Sequence, residues 1–378
     1  MSLKKILIIL IIVTTIIIGS LLLYDFFFQE TPKIEEQFVK DNTIIIGENE
    51  TSLSSIKINL ISKEPILSPI ADGNLVKYYS ALSGNVLQSN FDGSEQFIIS
   101  SDTLTNLLKT KWSPIDKNKV ISFFKQKDEQ IKKYFYNFKS KESAMLEKNI
   151  SSVDWSPTED KIVYQYFDIQ SGLNNINIAN PDGSDWNSIL QTRIKDIIVE
   201  WPSSNQIIIR TKPSGLAKSV IYTINPSGEN FRKLIDNTYG LTTLWSPQGD
   251  KLLFSETNSQ GENLKLNLFN TNDYTIRELD FITLPEKCVW SQDNITAYCA
   301  VPTIIADKAV LPDDYYKDLL EFTDFFYKIN LNTGQKSLLA KSDILSIGID
   351  ASQLLLDNQE NYLIFVNKKD GLLYSLEL

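Results

Sequence analysis

Residues 155–164 read Trp155-Ser156-Pro157-Thr158-Glu159-Asp160-Lys161-Ile162-Val163-Tyr164. A tryptophan closes one apolar run, a turn follows, and a second run of β-branched and aromatic residues begins. Pro157 presets its own φ near about −65°, and Asp160 supports the bend through its side chain. The phrase returns at Trp112 (WSPIDKNKVISFF), Trp201 (WPSSNQIIIRT), Trp245 (WSPQGDKLLFSE) and Trp290 (WSQDNITAYCAV). These tryptophans are 43, 46, 44 and 45 residues apart. A fixed period of about 40–45 residues with strand-like content is the mark of a radial β-repeat.

One period dissects into four strands. In residues 149–190, a strand (Asn149 to Trp155) leads through the tight turn into a second, Ile162 to Phe167. A polar loop leads to a third, Asn174 to Ala179. The turn Asn180-Pro181-Asp182-Gly183-Ser184 then precedes a fourth, Trp186 to Leu190. Four antiparallel strands per period make one blade of a propeller. Degenerate copies at Leu67 and Leu356 bring the count to seven. The last copy ends at Leu378 after three strands, while an unassigned alternating strand, Ser55 to Ile61, precedes the first. Pairing the two closes the ring and removes its exposed edges. The expectation is an all-β, seven-bladed β-propeller of four-stranded antiparallel blades over residues 51–378, behind an N-terminal transmembrane helix. The repeat tryptophans Trp112, Trp155, Trp201, Trp245 and Trp290 are expected to fill the wedges between blades.

The phrase resembles the TolB-like propeller repeat, a relative of the WD-repeat, over residues 64–378. The resemblance implies the fold and a habit of binding proteins or peptides. The same repeat precedes the hydrolase domain of prolyl-oligopeptidase-like peptidases, but this chain ends with the propeller.

Composition narrows the chemistry. The 378 residues carry a formal charge of −10 and contain no histidine. An acidic surface repels phosphate backbones, which argues against nucleic acid. Without imidazole there is no Ser-His-Asp or Cys-His mechanism and no histidine-ligated metal. No metal site and no cofactor are expected.

Residues 6–24 (ILIILIIVTTIIIGSLLLY) carry no charge, and nineteen helical residues cover about 30 Å. Lys4 and Lys5 precede the run and Asp25 and Glu30 follow it, so the positive-inside rule leaves the N-terminus cytoplasmic. The run exceeds the 7–15 residues usual for a signal peptide. The expected organisation is an anchor at 1–28, an acidic stalk at 29–50, and the propeller outside the cell membrane, which the chain crosses once.

Departures from the repeat are where function is sought. The period after Trp290 stretches to 66 residues through an insertion at 302–324. Leu311-Pro312-Asp313-Asp314 reads as a helix start, with i/i+4 pairs Tyr315–Leu319 and Tyr316–Leu320. Asp314, Tyr315, Tyr316 and Phe322 are the candidate partner contacts; the insertion also reads as a lid on the channel mouth. The connection Lys125 to Lys133 (KQKDEQIKK) is basic within an acidic protein, suited to an anionic polymer or simply solvated. Cys288 and Cys299 flank the turn after Trp290 on neighbouring strands, and both a disulfide and two buried thiols fit the sequence. The functional expectation is a non-enzymatic, membrane-anchored module of the cell envelope that binds protein or peptide. The alternative is a glycan-binding or glycan-processing propeller using carboxylates and tyrosines around the channel.

Overall fold

The structure is a computed structural model that describes residues 57–342 and 345–378. The apolar run 6–24, the expected anchor 1–28 and the stalk 29–50 lie outside those residues. Among the described residues, no helix is long and apolar enough to cross a membrane.

Seven four-stranded antiparallel sheets follow one another along the chain. Blade 3 is representative, with strands Ile150–Trp155, Ile162–Asp168, Leu173–Ala179 and Asn187–Thr192. Alternation along these strands sends Val153, Trp155, Ile162 and Tyr164 into the packed layer against blade 2. The seventh blade takes three strands from the C-terminus, and its outermost strand is Ile58–Leu60, with Ile58 opposite Leu376 and Leu60 opposite Tyr374. The N-terminal strand therefore closes the ring, and no blade is left with an open partner edge where the chain ends meet.

The repeat tryptophans do more than fill wedges. Four of them end the innermost strand of their blade, and Trp201 lies two residues before the end of its own, Ile197–Ser203. Three of them donate the indole N–H to a carbonyl on the innermost strand of the preceding blade. Trp112 reaches Ser68 at 2.8 Å, Trp155 reaches Lys111 at 2.9 Å and Trp290 reaches Leu244 at 3.3 Å. The ring thus carries both apolar area and a directional tie between blades. Trp245 is only half-buried, and neither its N–H nor that of Trp201 has a partner.

Cys288 and Cys299 pair directly across the first two strands of blade 6 and form a disulfide. In the chain-entropy model a crosslink over so short a loop contributes about 2–3 kcal/mol.

The two faces of the ring differ. One carries the Trp-Ser-Pro and Asp-Gly-Ser turns. The other carries the connections between second and third strands and those between blades. On this variable face, blade 6 interrupts its pairing between Pro302 and Asp324. The insertion contains a single helical turn, Asp313–Tyr316, rather than the longer helix that the i/i+4 pairs suggested. The chain leaves the helical path at Lys317, and Asp318 takes a positive φ of 57°. Leu319 and Leu320 are therefore not stacked over Tyr315 and Tyr316.

Candidate functional site on the variable face

The insertion is held by a buried ionic cluster. Lys287 ends the connection between blades 5 and 6, and Asp350 ends the connection between blades 6 and 7. Asp324 opens the third strand of blade 6. All three side chains are fully buried. The Lys287 ammonium donates to Asp324 Oδ2 at 2.8 Å, Asp350 Oδ1 at 2.7 Å and the Ala351 carbonyl at 2.7 Å, which occupies its three protons. Asp350 also accepts from the Tyr315 hydroxyl at 3.0 Å and from the Phe322 N–H at 3.0 Å. One cation faces two carboxylates here. Burial, partly offset by Lys287, pushes the Asp324 carboxyl up to about 6. Burial and the two aspartates likewise push the Tyr315 phenol up.

The far end of the insertion crosses to blades 4 and 5. Asp313 accepts from the Gly215 N–H at 2.6 Å and from the Ser214 hydroxyl at 3.2 Å. Glycine is required at 215. A Cβ there would stand 2.7 Å from the Gly261 Cα and closer still to the Leu311 carbonyl. On the blade 7 side, Lys368 pairs with Asp318 at 2.7 Å and donates to the Tyr315 carbonyl at 2.8 Å.

This places the four residues singled out in the insertion. Tyr315 and Phe322 are buried, their rings stacked 4.8 Å apart in the insertion's own core. Asp314 is half-buried and accepts from the Val310 N–H at 2.8 Å. Of the four, only Tyr316 is exposed, at 49%, and its hydroxyl donates to Glu286 Oε1 at 2.5 Å. Burial and Glu286 push its phenol up; with half the side chain open to water, the carboxylate is the firmer cause. Nearby on blade 4, Arg210 pairs with Glu200 at 2.7 Å.

A second feature was not foreseen. Between blades 2, 3 and 4 the variable face opens into a cleft of about 580 Å³. Lys109, Lys111, Lys195 and Lys212 line it, together with Phe123, Phe167 and Gln165. Lys111 is paired with Asp154 at 2.7 Å and Lys212 with Asp196 at 3.1 Å. Lys109 and Lys133 have no carboxylate partner among the described residues. Strand register sets them in one row: Lys109 lies opposite Phe123, and Phe123 lies opposite Lys133. The Lys109 ammonium sits 5.2 Å from the Phe123 ring centroid. Lys133 is only 5% exposed and makes one hydrogen bond, to the Ile131 carbonyl at 3.2 Å. Burial and the neighbouring Lys109 push the Lys133 ammonium down. Lys109 is also pushed down, by burial of its head and by Lys111, although much of its side chain stays open to solvent.

Gln165 adds a neutral acceptor at the cleft floor. Asn174 donates its amide to the Ile194 carbonyl, so its oxygen must accept from the Gln165 amide. That orients Gln165 and leaves its buried Oε1 without a partner.

The one sequence signal for this site was the basic connection Lys125 to Lys133. Its tip, Lys125 to Gln130, is a solvated hairpin, and Lys133 alone turns inward.

No protein-family model matches the chain, and no curated protein matches it. Solved structures of similar fold include the oligogalacturonate lyase of Vibrio parahaemolyticus (TM-score 0.57, 10% identity, covering 85% of this chain and 91% of that one). Another is the propeller domain of the Trilobed protease of Pyrococcus furiosus (TM-score 0.54, 12% identity, 82% and 94%). TolB from Acinetobacter baumannii is also similar, at TM-score 0.44 and 12% identity, covering 78% of this chain and 59% of that one. At such identities the likeness extends to the fold alone. It corrects one expectation nonetheless. A propeller of this architecture that is itself a lyase removes the ground for reading the chain as not an enzyme. What is shown is a seven-bladed β-propeller whose similar structures include TolB and enzymes.

Proposed function

We propose that this chain binds an acidic saccharide on the variable face of an extracytoplasmic propeller tethered through its apolar N-terminal run. The observation that carries the reading is the row Lys109–Phe123–Lys133. It sets two lysines, neither ion-paired among the described residues, in cross-strand register with an aromatic ring, Lys109 lining the cleft and Lys133 buried behind it, in a chain of net charge −10. Burying Lys133 in this position is costly unless an anion arrives. The other parts of the cleft refine the ligand. Phe167, exposed on the cleft wall, offers flat apolar surface for a ring face, and Gln165 Oε1 requires a hydrogen-bond donor, as a hydroxyl supplies. A bare polyphosphate has neither. A uronic-acid residue has a carboxylate, a ring face and hydroxyls. A protein or peptide partner is the weaker reading, because Tyr315 and Phe322, chosen for it, lie buried.

Oligogalacturonate, for which the lyases of similar fold are named, is a suitable probe. The wild-type chain should bind it by calorimetry with an affinity that falls as salt rises. Lysine-to-methionine changes keep the stems and remove the charges. A charged hydrogen bond contributes about 1.5–3 kcal/mol, so K109M/K133M should weaken binding about a hundredfold. Unchanged affinity, or equal affinity for polyphosphate, would sink the reading. The tether requires the full chain to stay with membranes after alkaline carbonate washing.

A further inference from the structure

On the opposite side of blade 2, facing blade 1, the variable face holds another cavity of about 520 Å³. The outer strands on both sides of it are short: Phe97–Ser100 in blade 1 and Ser143–Met145 in blade 2. The connection 101–106 lines one side of it, held by the Leu104 N–H, which donates to the Ser83 carbonyl at 2.9 Å. The alternation that turns Lys133 and Phe135 toward blade 3 turns Tyr134 and Tyr136 toward this cavity. Phe124 meets Tyr134 edge to face at 5.6 Å, and Tyr136 meets Phe138 in the same way at 4.9 Å. These four rings form its apolar wall. The rim is neutral and polar, with Thr105, Asn106 and Gln126. Among the described residues, the hydroxyls of Tyr134 and Tyr136 have no hydrogen-bond partner, nor has the Asn106 amide.

The charge here is opposite to that of the lysine cleft. No cation lines the cavity, and its one charged residue is Asp102, whose carboxylate accepts from the Ser100 hydroxyl at 2.9 Å. An anion is repelled, and a purely apolar ligand leaves the two phenols and the amide unmet. We propose that this cavity is a second binding site that takes an uncharged saccharide ring. The ring lays an apolar face on Tyr134 and Phe124 and presents its hydroxyls to Tyr136, Asn106 and Thr105. A mostly apolar pocket with a few converging polar groups is the usual form of a small-ligand site. This assignment stands on different residues from the acidic-saccharide reading and does not depend on it.

Trp112 supplies a local reporter, because its ring stacks on Phe138 at 5.8 Å, directly behind the cavity wall. Titration of the folded chain with maltotriose and with tri-N-acetylchitotriose should give saturable fluorescence change for at least one of them. Tyr134→Ala should weaken that binding about tenfold or more, a loss of about 1.4 kcal/mol. The K109M/K133M pair should leave it unchanged. An unchanged circular dichroism spectrum and an unchanged urea-denaturation midpoint would show that Tyr134→Ala still folds. No saturation by either trisaccharide up to about 10 mM, which corresponds to only about 2.7 kcal/mol of binding, overturns the proposal. So does binding that survives Tyr134→Ala, is lost in K109M/K133M, or is given by indole in place of the sugars.

Discussion

Replacing Lys287 by methionine is expected to destabilise the propeller by about 3–5 kcal/mol, among the largest effects of any single change in the chain. The side chain is fully buried and holds two buried carboxylates at 2.8 and 2.7 Å. Removing it leaves Asp324 and Asp350 facing each other in a dry site, with the Ala351 carbonyl unpaired as well. The loss should depend on pH, and the sign follows from Asp324. Its folded value of about 6 lies above the ordinary aspartate value of 3.8. Between these values the folded chain binds more protons than the unfolded one, so this group's contribution to stability falls as pH rises through the window. Without Lys287 the chief group opposing burial of Asp324 is gone, and its carboxyl rises further. The cost of Lys287→Met should therefore be greatest near pH 7 and smaller near pH 4, where the Asp324 carboxyl is neutral. Urea denaturation at both values measures it. A loss below about 1 kcal/mol at pH 7, or one that grows toward acid, would show that the cluster does not hold the insertion in this way.

The second large effect is expected at Trp155. It is 4% exposed, and it packs on the layer containing Ile121, Phe135 and Val153 while donating to the Lys111 carbonyl at 2.9 Å. Trp155→Ala removes a large ring from a rigid wedge between two sheets and should cost about 3–5 kcal/mol. Trp155→Phe retains most of the apolar area and gives up chiefly the hydrogen bond, about 0.5–1.5 kcal/mol plus a small packing loss. The pair separates the two roles of the repeat tryptophan. The position also has a bearing on the cleft, because the bond joins the strand that carries Lys109 and Lys111 to the blade that carries Gln165. Equal losses for the two variants in equilibrium denaturation would mean that the tie between blades outweighs the wedge.

Much of the scaffold was legible before any coordinates, because its signals are local. A proline and an aspartate at fixed offsets after a tryptophan shape a turn from their own backbones and side chains. Alternation over six or seven residues marks a half-buried strand whatever surrounds it. Repetition at 43 to 46 residues adds up these weak cues. The missing strand at one end and the spare strand at the other implied the closure that Ile58–Leu60 makes. The 66-residue period located the insertion in the same way. Its interior was another matter: Tyr315 and Phe322 looked like contacts for a partner, yet they turn inward onto Lys287.

Only the tertiary structure decided what converges. Lys287, Asp324 and Asp350 are dispersed over 63 residues, and a lysine in a sequence does not announce that it will be fully buried. Lys133 read as one of several solvated cations at a hairpin tip. Its burial follows from the register that sets it beside Phe123 and Lys109. A one-residue slip would have turned it to the other side of the blade. The sequence by itself therefore determined the ring, its closure and where it departs from repetition, since those depend on neighbours along the chain. The lysine row, the unpaired Gln165 oxygen and the aromatic cavity belong to neighbours across strands and blades. Charge, burial and unmet hydrogen bonds are properties of a place in three dimensions, and that place was decided by packing.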